Sequence, residues 1–147
     1  MEWNRGSFMV STEKERLDRG VIHEFLRGSY WARGIPRELV DRSIENSLCF
    51  GLYDRDALVG FARVISDNAT FGYLADVFVL ESHRGRGLAT WLMEVIMTHP
   101  DLQGIRRWML VTADAHGLYR KVGFTGPSKP ERIMEKLLVD AYGASRG

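Results

Sequence analysis

Two glycines, Gly85 and Gly87, sit in the run Arg84-Gly-Arg-Gly-Leu-Ala-Thr, at the point where an apolar strand pattern gives way to an apolar helix pattern. Glycine there lets the backbone turn tightly and brings the free N–H groups of a first helical turn towards a bound anion, which suits a phosphate or pyrophosphate. The same spelling also serves an ordinary tight turn. It is not one of the commoner phosphate loops. GxxxxGK[ST] is absent, and Gly85-Arg-Gly-Leu-Ala-Thr lacks both the third glycine of the dinucleotide fingerprint and an acidic strand end ~20 residues further on. Nucleotide hydrolysis and hydride transfer recede accordingly. Asp76 is the other conspicuous residue, the only charge within Phe71 to Leu80. A carboxylate in a strand that is apolar on both faces must be paired, reach an open cleft, or be protonated. Pairing with an Arg competes here with a part in proton transfer.

The elements that would carry these residues follow from hydrophobic period. Ser7 to Val10 reads as a short first strand. Leu17 to Leu26 has apolar residues at helical spacing, and Pro36 suits the first turn of a second helix to about Asn46. Leu48 to Tyr53, Leu58 to Ile65 and Phe71 to Leu80 read as an antiparallel meander joined by polar turns. Leu88 to Thr98 is a helix apolar around most of its circumference, ended by Pro100. Arg106 to Thr112 is a further strand, Asp114 to Val122 a short helix closed by Gly123, and Ile133 to Val139 a last strand. This order gives an α/β (α+β) fold, a mixed sheet with helices on its faces.

At 147 residues the chain is expected to be one domain, 1–147, with no linker, repeat or low-complexity tract. Twenty Lys+Arg against nineteen Asp+Glu give a net charge of +1, which disfavours nucleic acid as a partner. The bases are sixteen Arg and four Lys, and Arg suits bidentate pairing with anions. Cys49 is the sole cysteine, so neither an intrachain disulfide nor a Cys-rich metal site is expected. Without an apolar leader or a membrane-length apolar run, a cytoplasmic protein with no membrane partner is expected.

Two segments together carry a resemblance. Val77-Phe-Val-Leu-Glu-Ser-His-Arg84-Gly-Arg-Gly87-Leu-Ala89 matches the (Gln/Arg)-x-x-Gly-x-(Gly/Ala) acyl-CoA motif, and Ala115-His-Gly-Leu-Tyr119-Arg-Lys-Val-Gly123-Phe124 resembles the tyrosine-bearing helix of the same family. The chain resembles a GNAT-superfamily N-acetyltransferase over nearly its whole length. The resemblance implies a mostly antiparallel sheet, flanked by helices on both faces and splayed at the central strand. It implies acetyl-CoA as co-substrate, no metal, and a primary amine as acceptor. The backbone of Arg84, Gly85, Arg86, Gly87, Leu88, Ala89 and Thr90 would hold the CoA pyrophosphate, with the Thr90 hydroxyl assisting. Val77, Phe78 and Val79 would offer strand-edge groups to the pantetheine arm, an N–H near Val77 facing the thioester carbonyl. Tyr119 would protonate the departing thiolate.

Proton removal from the acceptor has three candidates: Asp76, Tyr73 and His116. The family often has a glutamate early in the central strand, where this chain has Tyr73, and strand alternation puts Asp76 on the opposite face. Family members commonly carry Asn seven residues before the tyrosine; this chain departs with Thr112 there, at the place where the resemblance implies a CoA or backbone contact. Tyr30 and Trp31 border the expected acceptor groove, or else simply cover the sheet. A CoA-binding sensor or assembly subunit without turnover is the competing reading. Ile133 to Val139 could complete the domain's own sheet or pair across a two-fold axis, and a homodimer is the expectation.

Overall fold

The structure, a computed structural model, describes residues 1–143. Its sheet has six strands in sequential order: β1 (Glu2–Arg5), β2 (Phe8–Ser11), β3 (Leu48–Asp54), β4 (Ala57–Ser66), β5 (Phe71–Val79) and β6 (Arg107–Met109). The first five pair antiparallel, and β6 runs parallel to β5. Four helices join them: α1 (Arg19–Arg27), α2 (Arg37–Glu45), α3 (Leu88–Thr98) and α4 (His116–Arg120).

The sheet has a core on each face because its strands alternate. Phe50 and Leu52 of β3 and Val64 of β4 pack with Leu92, Met93 and Ile96 of α3. Cys49, Tyr53 and Phe61 point the other way, onto Ile22 and Leu26 of α1 and Val40 and Ile44 of α2. α3 buries Leu88, Leu92, Met93, Val95 and Ile96, as its apolar circumference requires. None of the described helices is long and apolar enough to cross a membrane.

Three expectations change. The first strand is the second arm of a hairpin whose turn holds Gly6 at φ +63. β1 escapes sequence reading because Glu2, Asn4 and Arg5 are exposed and leave no apolar alternation. The strand expected over Arg106 to Thr112 is confined to Arg107–Met109. Ile133 to Val139 forms no strand: the segment follows a short 3₁₀ turn at Pro130–Arg132 and runs exposed, with no strand beside it among the described residues.

The site is opened by the shortness of β6. Only Phe71, Gly72 and Tyr73 of β5 pair with it, opposite Arg107, Trp108 and Met109. From Leu74 to Val79, β5 keeps β4 on one side and presents a free edge on the other. A bulge adds to the divergence. Arg63 pairs with Ala75 and Phe61 with Phe78, so Asp76 and Val77 lie opposite Ala62 alone, and Asp76 takes φ +53. A bulge bends a strand and increases its twist.

Candidate active site

The splay becomes a cleft of about 1090 Å³ between the free edge of β5 (Val77, Phe78, Val79) and the inner face of α4 (Leu118, Tyr119). Ala89 contributes from the start of α3, and Phe25, Tyr30 and Trp31 close the cleft from α1 and the connector behind it. Phe25 stacks on Phe78 with ring centroids 4.0 Å apart, and Tyr30 meets Trp31 edge-on at 5.1 Å. The Ala113 N–H donates to the Tyr30 hydroxyl at 2.9 Å. The aromatic pair therefore covers the cleft rather than the sheet, and Tyr30 ties its two walls together.

A smaller cavity of about 250 Å³ adjoins it at the glycine turn, lined by Arg84, Gly85, Gly87, Leu88, Ala89, Thr90 and Lys121. Gly85 and Gly87 have φ +78 and +73, and a Cβ on either would meet only open space. Backbone conformation rather than crowding thus demands glycine here. Gly87 caps α3 without a side-chain acceptor, so the first N–H groups of the helix have no side-chain cap. Arg84 turns back so that its Nε–H donates to the Val79 carbonyl at 3.0 Å, fixing the turn to the end of β5.

Tyr119 lies across the cleft, 8% exposed. Burial foremost, then the negative ends of Tyr30 and Asp114, pushes its phenol up to about 12. It therefore keeps its proton at neutral pH. Phe124, whose N–H donates to the Tyr119 carbonyl at 3.1 Å, holds the ring edge-on at 6.0 Å. Gly123, φ +97, supplies the turn between them. The Thr112 hydroxyl accepts from the Ala115 N–H at 3.1 Å and braces the chain ahead of α4.

Asp76 is paired. Arg63 Nε donates to Oδ2 and Trp31 Nε1 to Oδ1, each at 2.9 Å, with the Asp76 and Arg63 side chains 10% and 15% exposed. The expected opposition of Asp76 and Tyr73 does not hold. Tyr73 pairs with Ile65 and Ala75 with Arg63, two residues apart on β4, and Asp76 reaches that same Arg63. The bulge adds one residue and resets the alternation, so both groups share the α1 side of the sheet. Burial first, and the nearby Asp76 charge second, raises the Tyr73 phenol. His116 is exposed at the start of α4.

Arg63 and Phe25 were not singled out by sequence reading. Arg63 had a signal, as the one charge inside Leu58 to Ile65, just as Asp76 is the one charge inside β5. Phe25 had none, being one of several apolar residues on α1. Cys49 is buried away from the cleft and its thiol is raised to about 11 by burial. Among the described residues no group of His, Cys, Asp and Glu is gathered to hold a metal ion.

Comparison with known proteins gives the following. The sequence model of the Acetyltransferase (GNAT) family matches residues 19–124. FG08082 of Gibberella zeae, an acetyltransferase by name only, is 32% identical over an alignment 142 positions long, and the match covers 81% of this chain and 79% of that protein. A solved structure from Xanthomonas campestris pv. campestris, assigned to the same family as an acetyltransferase, is 51% identical with a TM-score of 0.90, covering 95% of this chain and 99% of that one. A Clostridium acetobutylicum protein assigned as an acetyltransferase and solved with acetyl-CoA shares the fold at 16% identity and TM-score 0.64, covering 92% and 97%.

Proposed function

The chain belongs to the GNAT family of acetyltransferases, and from that premise we propose that it transfers acetyl from acetyl-CoA to a primary amine, of a small molecule or of a peptide or protein, by direct attack. One observation carries the reading. A free strand edge, a glycine turn with uncapped N–H groups and a buried, protonated phenol all face one continuous opening.

The residues fit the co-substrate, which brings an acyl group already activated as a thioester. The turn at Gly85 and Gly87, with Arg84, Thr90 and Lys121 around it, holds the pyrophosphate through backbone donors. The free edge of β5 from Val77 to Val79 holds the pantetheine amides as a neighbouring strand would. A backbone donor near Val77, beside the bulge, meets the charge that grows on the carbonyl oxygen; such a donor is worth about 2.7–4 kcal/mol. Tyr119 gives its proton to the sulfur as it leaves. Tyr30 and Trp31 border the incoming amine.

An alkylammonium titrates near ~10.4, so it must lose a proton before attack. Asp76 has both oxygens engaged, and the Tyr73 phenol is a poor acceptor. We assign Asp76 to bracing the bulge, give Tyr73 no part in proton transfer, and give proton removal to water at the open mouth of the cleft. Cys49, buried and hard to ionise, takes no part, in keeping with a direct mechanism.

Calorimetry with acetyl-CoA, followed by a free-thiol assay over a panel of amines, peptides and proteins, tests this. Saturable binding and amine-dependent thiol release are expected. Binding with no turnover on any acceptor would overturn the catalytic reading and leave a CoA sensor.

Gly87→Val tests the cradle. A β-branched residue at φ +73 costs about 1–2 kcal/mol if the turn is kept, and moves the N–H groups if it is not. Acetyl-CoA affinity is expected to fall by about tenfold or more; an unchanged dissociation constant would remove the turn from the binding site.

A further inference from the structure

We propose that His83 is a positioning residue for acetyl-CoA: its hydrogen bond to Asp54 ties the glycine turn to the sheet, so that the N–H groups of the turn are aligned before the pyrophosphate arrives. The inference rests on the reading of that turn as the pyrophosphate site.

The turn needs a support from outside itself. Glycine has the widest choice of backbone conformation, and Gly85 and Gly87 both stand at positive φ with nothing packed where a Cβ would be. The 3₁₀ turn just before them, Glu81–His83, is bonded locally: the His83 N–H donates to the Leu80 carbonyl and the Arg84 N–H to that of Glu81. Arg84 reaches back only to Val79. Among the described residues, His83 alone carries a hydrogen bond from residues 81–87 to a distant part of the chain, its Nε2 lying 2.8 Å from Asp54 Oδ2.

Asp54 is a fixed point. It closes β3, paired with Phe8 of β2 on one side and Ala57 of β4 on the other, and its Oδ1 accepts from the Ser7 hydroxyl at 3.2 Å. The bond from His83, foremost, holds its carboxyl below the ordinary value, so it is a carboxylate and can only accept. The hydrogen in this bond therefore belongs to Nε2, and in the neutral ring Nδ1 accepts from the Ser82 hydroxyl at 2.7 Å. Phe8 meets the ring edge-on at 6.3 Å. With both nitrogens engaged the ring is held in one orientation, its side chain 17% exposed, and it lines the cavity at the glycine turn. Ser82 lines neither of the two cavities, so the chain of contacts from Ser82 through His83 to Asp54 serves as a tether and not as a nucleophile with its base.

Without the tether the turn takes up conformations in which its N–H groups diverge, and acetyl-CoA binds only the fraction that is aligned. Chemistry is untouched once the co-substrate is in place, because Tyr119 lines the larger cavity and not the smaller.

Calorimetry and steady-state kinetics of the full chain with acetyl-CoA test this. His83→Ala and Asp54→Ala are each expected to weaken acetyl-CoA about tenfold, in Kd and in KM alike, with kcat at saturation unchanged. Combining them should cost no more than either alone, since the two act as one unit. His83→Gln, whose amide nitrogen reaches the place of Nε2, should recover most of the affinity. A merely structural role predicts a different pattern, in which a smaller folded fraction lowers kcat and leaves KM where it was. That pattern, or a folded His83→Ala or Asp54→Ala that binds as the parent does, would overturn the tether. The two variants break it from opposite ends, so a folding failure in one leaves the other to decide. A parent chain that binds no acetyl-CoA would instead remove the reading of the turn, and the inference with it.

Discussion

Tyr119→Phe is expected to slow the chemical step by about 10²–10⁴-fold and to leave acetyl-CoA affinity close to that of the parent. The variant removes one hydroxyl and keeps the ring that packs against Phe124 and the cleft wall, so binding has little to lose. The thiolate loses its proton donor. With the phenol raised to about 12, the donor stays protonated through the whole range in which the acceptor amine becomes neutral, and the parent rate is expected to climb with pH up to the amine's own titration. Single-turnover thiol release across pH reads both effects. Stability provides a control with its own sign. A phenol raised in the folded state is neutral in both states below ~10; above that the unfolded chain ionises first, so the parent loses stability as pH rises from about 10 to about 12. Tyr119→Phe removes that part of the alkaline loss. A variant with full turnover at every pH would leave water or another group as the acid.

Much of this architecture is written in local pattern. The apolar circumference of α3 with Pro100 behind it, the three runs that become β3, β4 and β5, and the two glycines before α3 each state their structure in a few neighbouring residues. Tyr119 was reached only through family resemblance, since nothing in its local spacing separates it from a packing tyrosine. What escaped depends on residues far apart in sequence. The bulge at Asp76 exists because Ala62, on another strand, faces two residues rather than one, and counting by twos along β5 cannot see that. The single charges Arg63 and Asp76 were each visible, but their partnership needed the register between β4 and β5. Ile133 to Val139 has the composition of a strand and is not one in the structure, because composition states what a segment can pair as, and not where its partner lies.

The pairing of Asp76 also separates two roles the sequence left open. As the brace of the bulge, its loss strands Arg63 at 15% exposure without a counter-charge and frees Trp31 from its acceptor. Breaking such a nearly buried pair costs on the order of 3 kcal/mol, and alanine adds the penalty of φ +53, which aspartate and asparagine tolerate better. Asp76→Ala is therefore expected to lower the melting temperature by about 6–12 °C. Asp76→Asn, which keeps the shape, the backbone preference and an acceptor for Trp31, should lose less, and adding Arg63→Met to it should recover part of the loss by removing the unpaired cation. Activity should follow stability in this series, with the acidic limb of the pH profile unmoved. A general base would behave in the opposite way: Asp76→Asn would keep its melting temperature, lose about 10²–10⁴-fold in rate and flatten the acidic limb. That outcome would return Asp76 to proton transfer, and Arg63 and Trp31 would then be the groups that hold its carboxylate in place.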